Sequence, residues 1–99
     1  MIITVNQSRS TLLDPYDFKS FKVLAPQGTT VANLQDMLGD IAHVVDLGSV
    51  WVTRAGLEKL TDASSDPEWQ RGVEAMIEKA RPHGWINEAG EIRSHVEFR

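Results

Sequence analysis

Three histidines, one run of alternating charges and three tryptophans are the residues of this chain whose types could do chemistry. His43 and Asp46 come first, because a histidine oriented by a carboxylate can act as a general base. Both fall in a β-prone stretch, where residues three apart point to opposite faces, so the pair meets only across a turn and a structural role is favoured. His83 lies in Arg81-Pro82-His83-Gly84, at the end of a helical pattern. An imidazolium there suits the negative end of the helix dipole, which makes it a cap-region residue first. Arg93, His95 and Glu97 alternate along the last strand and share one face. They could present a polar site, although cross-strand charge pairing on a solvated face has the same sequence pattern and is the commoner outcome. The catalytic candidates are therefore His43, Asp46, His95 and Arg93. The binding candidates are Trp85, Arg93, His95 and Glu97.

Trp51, Trp69 and Trp85 each sit in an amphipathic context, so core packing is their first reading. Trp85 has a second reading as an exposed anchor for a partner, since indoles are favoured interface residues, and a ligand pocket lined by two indoles is the third. Metal binding needs three or four convergent ligands, and only His95 and Glu97 are close in sequence, so no metal site is expected. No glycine-rich phosphate loop, HExxH, GxSxG or EF-hand pattern occurs, so no cofactor is expected either.

Composition narrows the class further. A length of 99 residues suits a single domain spanning the chain, with 41% hydrophobic and 24% charged residues, the balance of a soluble globular protein. The absence of cysteine excludes disulfides and thiolate chemistry and is in keeping with a cytoplasmic protein. The apolar start Met1-Ile2-Ile3-Thr4-Val5 has no basic flank and breaks at Asn6-Gln7, unlike a signal peptide. No apolar run approaches the roughly 20 residues a bilayer crossing needs. The net charge of −4 is spread over both halves, with 3 basic and 5 acidic residues in 1–50 and 7 and 9 in 51–99. Without a basic arm, nucleic-acid binding is disfavoured.

The elements that must position these residues can be read from periodicity. Ile2 to Val5 reads as a strand, Asn6 to Thr11 as a polar loop, and Ser20 to Ala25 as a strand. Val31, Leu34, Leu38 and Ile41 form one stripe of a helix from Thr30 to Ile41 that Thr29 or Thr30 can cap. Val44-Val45 and Val50 to Val52 read as strands joined at Leu47-Gly48-Ser49, and Thr53 caps a short helix that turns Leu57 and Leu60 inward. Ser65-Asp66-Pro67-Glu68 specifies a helix start through its cap, its N1 proline and its first-turn acid. Trp69, Val73, Met76, Ile77 and Ala80 then make one apolar stripe, ended by Pro82 and Gly84. Trp85-Ile86 and Glu91 to Arg99 flank Asn87-Glu88-Ala89-Gly90 as the arms of a hairpin. In the second arm Ile92, Ser94, Val96 and Phe98 face inward.

This order fits an α+β domain in which an antiparallel sheet carries two main helices on one face, in ferredoxin-like order with a C-terminal hairpin added. The alternative is a winged helix with an N-terminal β extension, the Trp69 helix in the recognition position and residues 87–90 as the wing. As a DNA reader that helix is poorly charged, because Arg71, Lys79 and Arg81 are offset by Glu68, Glu74 and Glu78. The expected function is that of a small acidic, non-catalytic protein acting through a protein partner or self-association, a homodimer through a sheet edge included. The alternatives are a small enzyme or ligand-binding protein that uses a histidine with an acid or arginine in a cleft, and a winged-helix regulator.

Overall fold

A computed structural model describes residues 1–7 and 9–99. Eleven segments of regular structure follow one another: β1 (Ile2–Val5), β2 (Ser10–Leu13), β3 (Lys22–Ala25), α1 (Val31–Leu38), β4 (Ala42–Asp46), β5 (Ser49–Val52), α2 (Arg54–Lys59), a 3₁₀ turn (Asp62–Ser65), α3 (Pro67–Ala80), a second 3₁₀ turn (Arg81–His83) and β6 (Ile92–Phe98). The strands form one sheet in the order β2-β1-β3-β6-β5-β4. Among the described residues no helix is long and apolar enough to cross a membrane.

The sheet is mixed, which corrects the expected antiparallel one. β1 runs parallel to β3 and β3 parallel to β6, while β1–β2, β6–β5 and β5–β4 are antiparallel. The physical reason lies in the last strand. β6 enters the sheet between β3 and β5, and the long helical connection from β3 lets it run parallel to that strand, which a local hairpin cannot do. The expected C-terminal hairpin is accordingly reduced to its turn and one bridge, Ile86 opposite Ile92. Gly90, at φ +78°, and Asn87, whose side-chain oxygen accepts the Glu91 N–H at 2.8 Å, build that turn. A wing is thereby ruled out as well, since β6 is an interior strand. The ferredoxin-like order does not describe this sheet, which also gains β2 where a loop was expected. Ser10 and Thr11 are polar because β2 is an edge strand, and Ser8, within that expected loop, lies outside the described residues.

One face of the sheet is covered. Ile3, Val23, Val96, Val50, Val52 and Ala42 are cross-strand partners or same-face neighbours, and they share one buried cluster with Leu34 and Leu38 of α1, Leu57 of α2, and Trp69, Val73 and Ile77 of α3. The opposite face, with Thr4, Leu24, Glu97, His95, Arg93, Trp51 and His43, is only partly buried or exposed.

Local signals explain the helix limits. Thr30 accepts the Asn33 N–H, Thr53 the Gly56 N–H, and Asp66 the Glu68 N–H, each from an extended backbone. The first helix, α1, stops at Leu38, three residues short of the expected Ile41, because Gly39 takes φ +58° and its N–H closes onto the Gln35 carbonyl. Between β2 and β3, residues 14–21 form a strap across α3. The Trp69 indole donates to the Pro15 carbonyl at 2.8 Å, the Tyr16 hydroxyl donates to Asp66, and the Phe18 ring lies against Gly72.

Candidate ligand-binding cleft

The site begins with a change of partner along β6. On its β3 flank, pairing starts only where Lys22 stands opposite His95, whereas further back the same flank is taken by Ile86 opposite Ile92, with the Arg93 N–H donating to the Trp85 carbonyl at 2.8 Å. The two segments diverge from β6 there and leave an open cleft of about 890 Å³. The strap residues Phe18 and Phe21 line one part of it, Met76 and Ala80 of α3 another, and Trp85 and Arg93 a third.

Its charge is opposite to that of the chain. Lys19, Lys22, Lys79 and Arg93 line it, four of the ten lysines and arginines, together with His83 and His95, against Glu97 alone of the fourteen acids. Glu97 is already engaged, by Lys22 Nζ at 3.0 Å and His95 Nε2 at 2.9 Å. The hydrogen bond from His95, then that from Lys22, holds its carboxyl below the usual glutamate range. Lys19, Lys79 and Arg93 have no ion pair among the described residues.

An aromatic row crosses the uncovered face beside these cations. Trp85 faces Arg93 across the antiparallel bridge, Arg93 is paired with Trp51, and Trp51 with His43. The His83 ring stacks on the Trp85 indole, centroids 4.4 Å apart and planes 20° from parallel. The second 3₁₀ turn and Gly84, at φ +76°, bring the chain round so that these two rings meet. Trp85 keeps 46% of its surface in solvent, while Trp69 is fully buried.

The four binding candidates Trp85, Arg93, His95 and Glu97 thus come together in one cleft. His43 and Asp46 do not form the imagined pair. The Asp46 carboxylate accepts the N–H groups of Gly48 at 2.7 Å and Ser49 at 3.0 Å and shapes the β4–β5 turn. His43 instead lies 3.0 Å from Glu91, whose other oxygen accepts from Asn87. His83 ends the 3₁₀ turn that follows α3, and its ring stacks on Trp85. Lys19, Lys22 and Lys79 were missed, although two of the three basic residues in 1–50 stand three apart in and beside the strap. No group of three or more His, Asp or Glu side chains that could hold a metal occurs among the described residues.

No known protein family, curated protein or solved structure shows a significant similarity to the chain.

Proposed function

We propose that this protein binds a small anionic molecule in the cleft between Trp85 and the strap. One observation carries the reading: in a chain of net charge −4, four lysine and arginine side chains converge on one cleft with a single carboxylate. Cations gathered on one surface repel each other, and among the described residues three of these have no ion pair to offset that cost. An anion supplies it. Arg93 offers a planar fork suited to phosphate or carboxylate, and Lys79 and Lys19 offer mobile point charges. The cleft's volume lies within the range of small-molecule sites.

The test is a titration with inorganic phosphate at low ionic strength, followed by amide chemical shifts. Binding on the order of millimolar, with shifts confined to residues 19–22, 79–85 and 93–97, is the expected result. Arg93→Ala combined with Lys79→Ala should abolish it. Shifts scattered over the surface, or unchanged in the double variant, would refute the reading.

A second reading, self-association through a sheet edge, is favoured by β4, an edge strand that carries the exposed Val45 and is followed by the exposed Leu47. Sedimentation velocity across a wide concentration range tests it, and a constant monomer would dismiss it.

A further inference from the structure

We infer that the anion held in this cleft carries a flat heteroaromatic ring, making the ligand a nucleoside phosphate; the inference rests on the anion-site reading above. An anion alone accounts for the cations but not for the indole. Trp85 exposes 46% of its surface beside the cations, where a tryptophan with no function would gain by burial. Its backbone is tied on both sides and its ring is held by one stacking contact. The Trp85 N–H donates to the Ala80 carbonyl, its own carbonyl accepts from Arg93, and His83 stacks on it. A platform held in this way loses little entropy when a ring is laid on it.

The separations fit the class. Antiparallel partners such as Trp85 and Arg93 have Cβ atoms about 5 Å apart, and Arg93 and His95 are spaced by roughly 7 Å along β6. A ring stacked on Trp85 therefore has cationic side chains at the distance a sugar places between a base and its phosphate. The cleft, about 890 Å³, is far larger than an inorganic anion requires. The same chemistry is presented by a free nucleotide and by one unit of a single strand of nucleic acid, since bases stack on exposed aromatics in either setting.

The experiment compares adenosine 5′-monophosphate, ribose 5-phosphate and a single-stranded hexanucleotide, using isothermal titration at low salt and the Trp85 indole N–H resonance. The nucleotide should bind about tenfold more tightly than ribose 5-phosphate, in line with one base-stacking contact. The nucleotide should move the Trp85 resonance and ribose 5-phosphate should not. Trp85→Leu, its fold checked by circular dichroism, should remove most of the difference between the nucleotide and ribose 5-phosphate, and Trp85→Phe should retain part of it. A hexanucleotide no tighter than the mononucleotide supports a free nucleotide as the source, and one much tighter supports a strand. Equal affinities of nucleotide and ribose phosphate, indifferent to Trp85→Leu, overturn this inference while the anion site stands. If none of the phosphates binds, both fail.

Discussion

Gly72→Ala sets two large effects against each other, and the structure decides the sign. Gly72 is in the interior of α3, where glycine costs about 1 kcal/mol relative to alanine. A Cβ added there would lie 2.8 Å from Cε1 of Phe18 and closer still to Cε2 and Cζ. Carbon atoms rest about 3.5–4.0 Å apart, so the ring must withdraw by more than about 1 Å. Overpacking of this kind costs about 1–3 kcal/mol, which exceeds the gain in helix propensity. The net expectation is a loss of about 1 kcal/mol, or roughly 4–8 °C in Tm for a domain of this size. In a Phe18→Ala background the obstacle is gone, and the same substitution should stabilise by about 1 kcal/mol. Thermal unfolding by circular dichroism of the four members of this cycle is the assay. Phe18 also lines the cleft, so Gly72→Ala should weaken phosphate binding in the otherwise native chain. If Gly72→Ala stabilises in both backgrounds, the ring does not seat on Gly72 and the account of the strap is wrong.

At Gly56 the obstruction is backbone. An added Cβ would meet Ile41 Cα at 2.5 Å and the Ile41 carbonyl at 2.7 Å. Gly56→Ala should therefore cost more than Gly72→Ala, about 2–3 kcal/mol by urea unfolding, with no rescue from side-chain truncation. Tyr16 is the only tyrosine, so its ionisation can be followed alone by ultraviolet absorbance. Its hydrogen bond to Asp66 holds it above the usual phenol range, and Asp66→Asn should lower its midpoint. The carboxyls of Asp66, Asp17 and Glu97 are held low, by Tyr16, Ser20 and His95 respectively as the leading donors. Stability from depressed carboxyls is complete above their unfolded values, about pH 4, and is lost as pH falls through the folded ones. Tm should therefore hold down to about pH 5 and fall below about pH 4, less steeply in Tyr16→Phe. Glu97→Gln removes the one acid of the cleft and frees Lys22 and His95. Phosphate affinity should then rise about two- to fivefold at low salt and converge with the native value at high salt. An unchanged affinity would show that Lys22 takes no part.

Periodicity and caps were legible where the interaction is local. The start of α3 at Asp66-Pro67, the burial of Trp69, Val73, Ile77 and Ala80, and the positive φ of Gly90 all follow from residues within a few positions of one another. Strand neighbours are a different matter. An alternation of two assigns Ile3, Val23 and Val96 to a buried face and is silent on which strand lies beside which, so the parallel pairs β1–β3 and β3–β6 could not be read. The cleft depends on those pairs. Lys22 reaches Glu97 across 75 positions of sequence, and Lys79 belongs to a stretch, Glu68 to Arg81, whose charges sum to zero. Trp85, Arg93, His95 and Glu97 were identifiable because they lie close together in the unit the local pattern describes best.

The same alternation that makes β6 an interior strand also makes its outer residues available for binding. All three helices contribute their buried side chains to one face of the sheet, so Ile92, Ser94 and Val96 are committed there and Arg93, His95 and Glu97 must emerge on the other. Slipping β6 by one residue would bury three ionisable groups, which fixes the register strongly. Two of those groups, His95 and Glu97, are used up with Lys22 in the cross-strand pairing that a solvated face ordinarily shows. Arg93 has no such partner among the described residues and stands between Trp51 and Trp85, so of these three β6 residues it is the one that charge pairing on a plain surface strand leaves unexplained. A guanidinium left unpaired between two indoles on an uncovered sheet is what an incoming anion with a flat ring would complete.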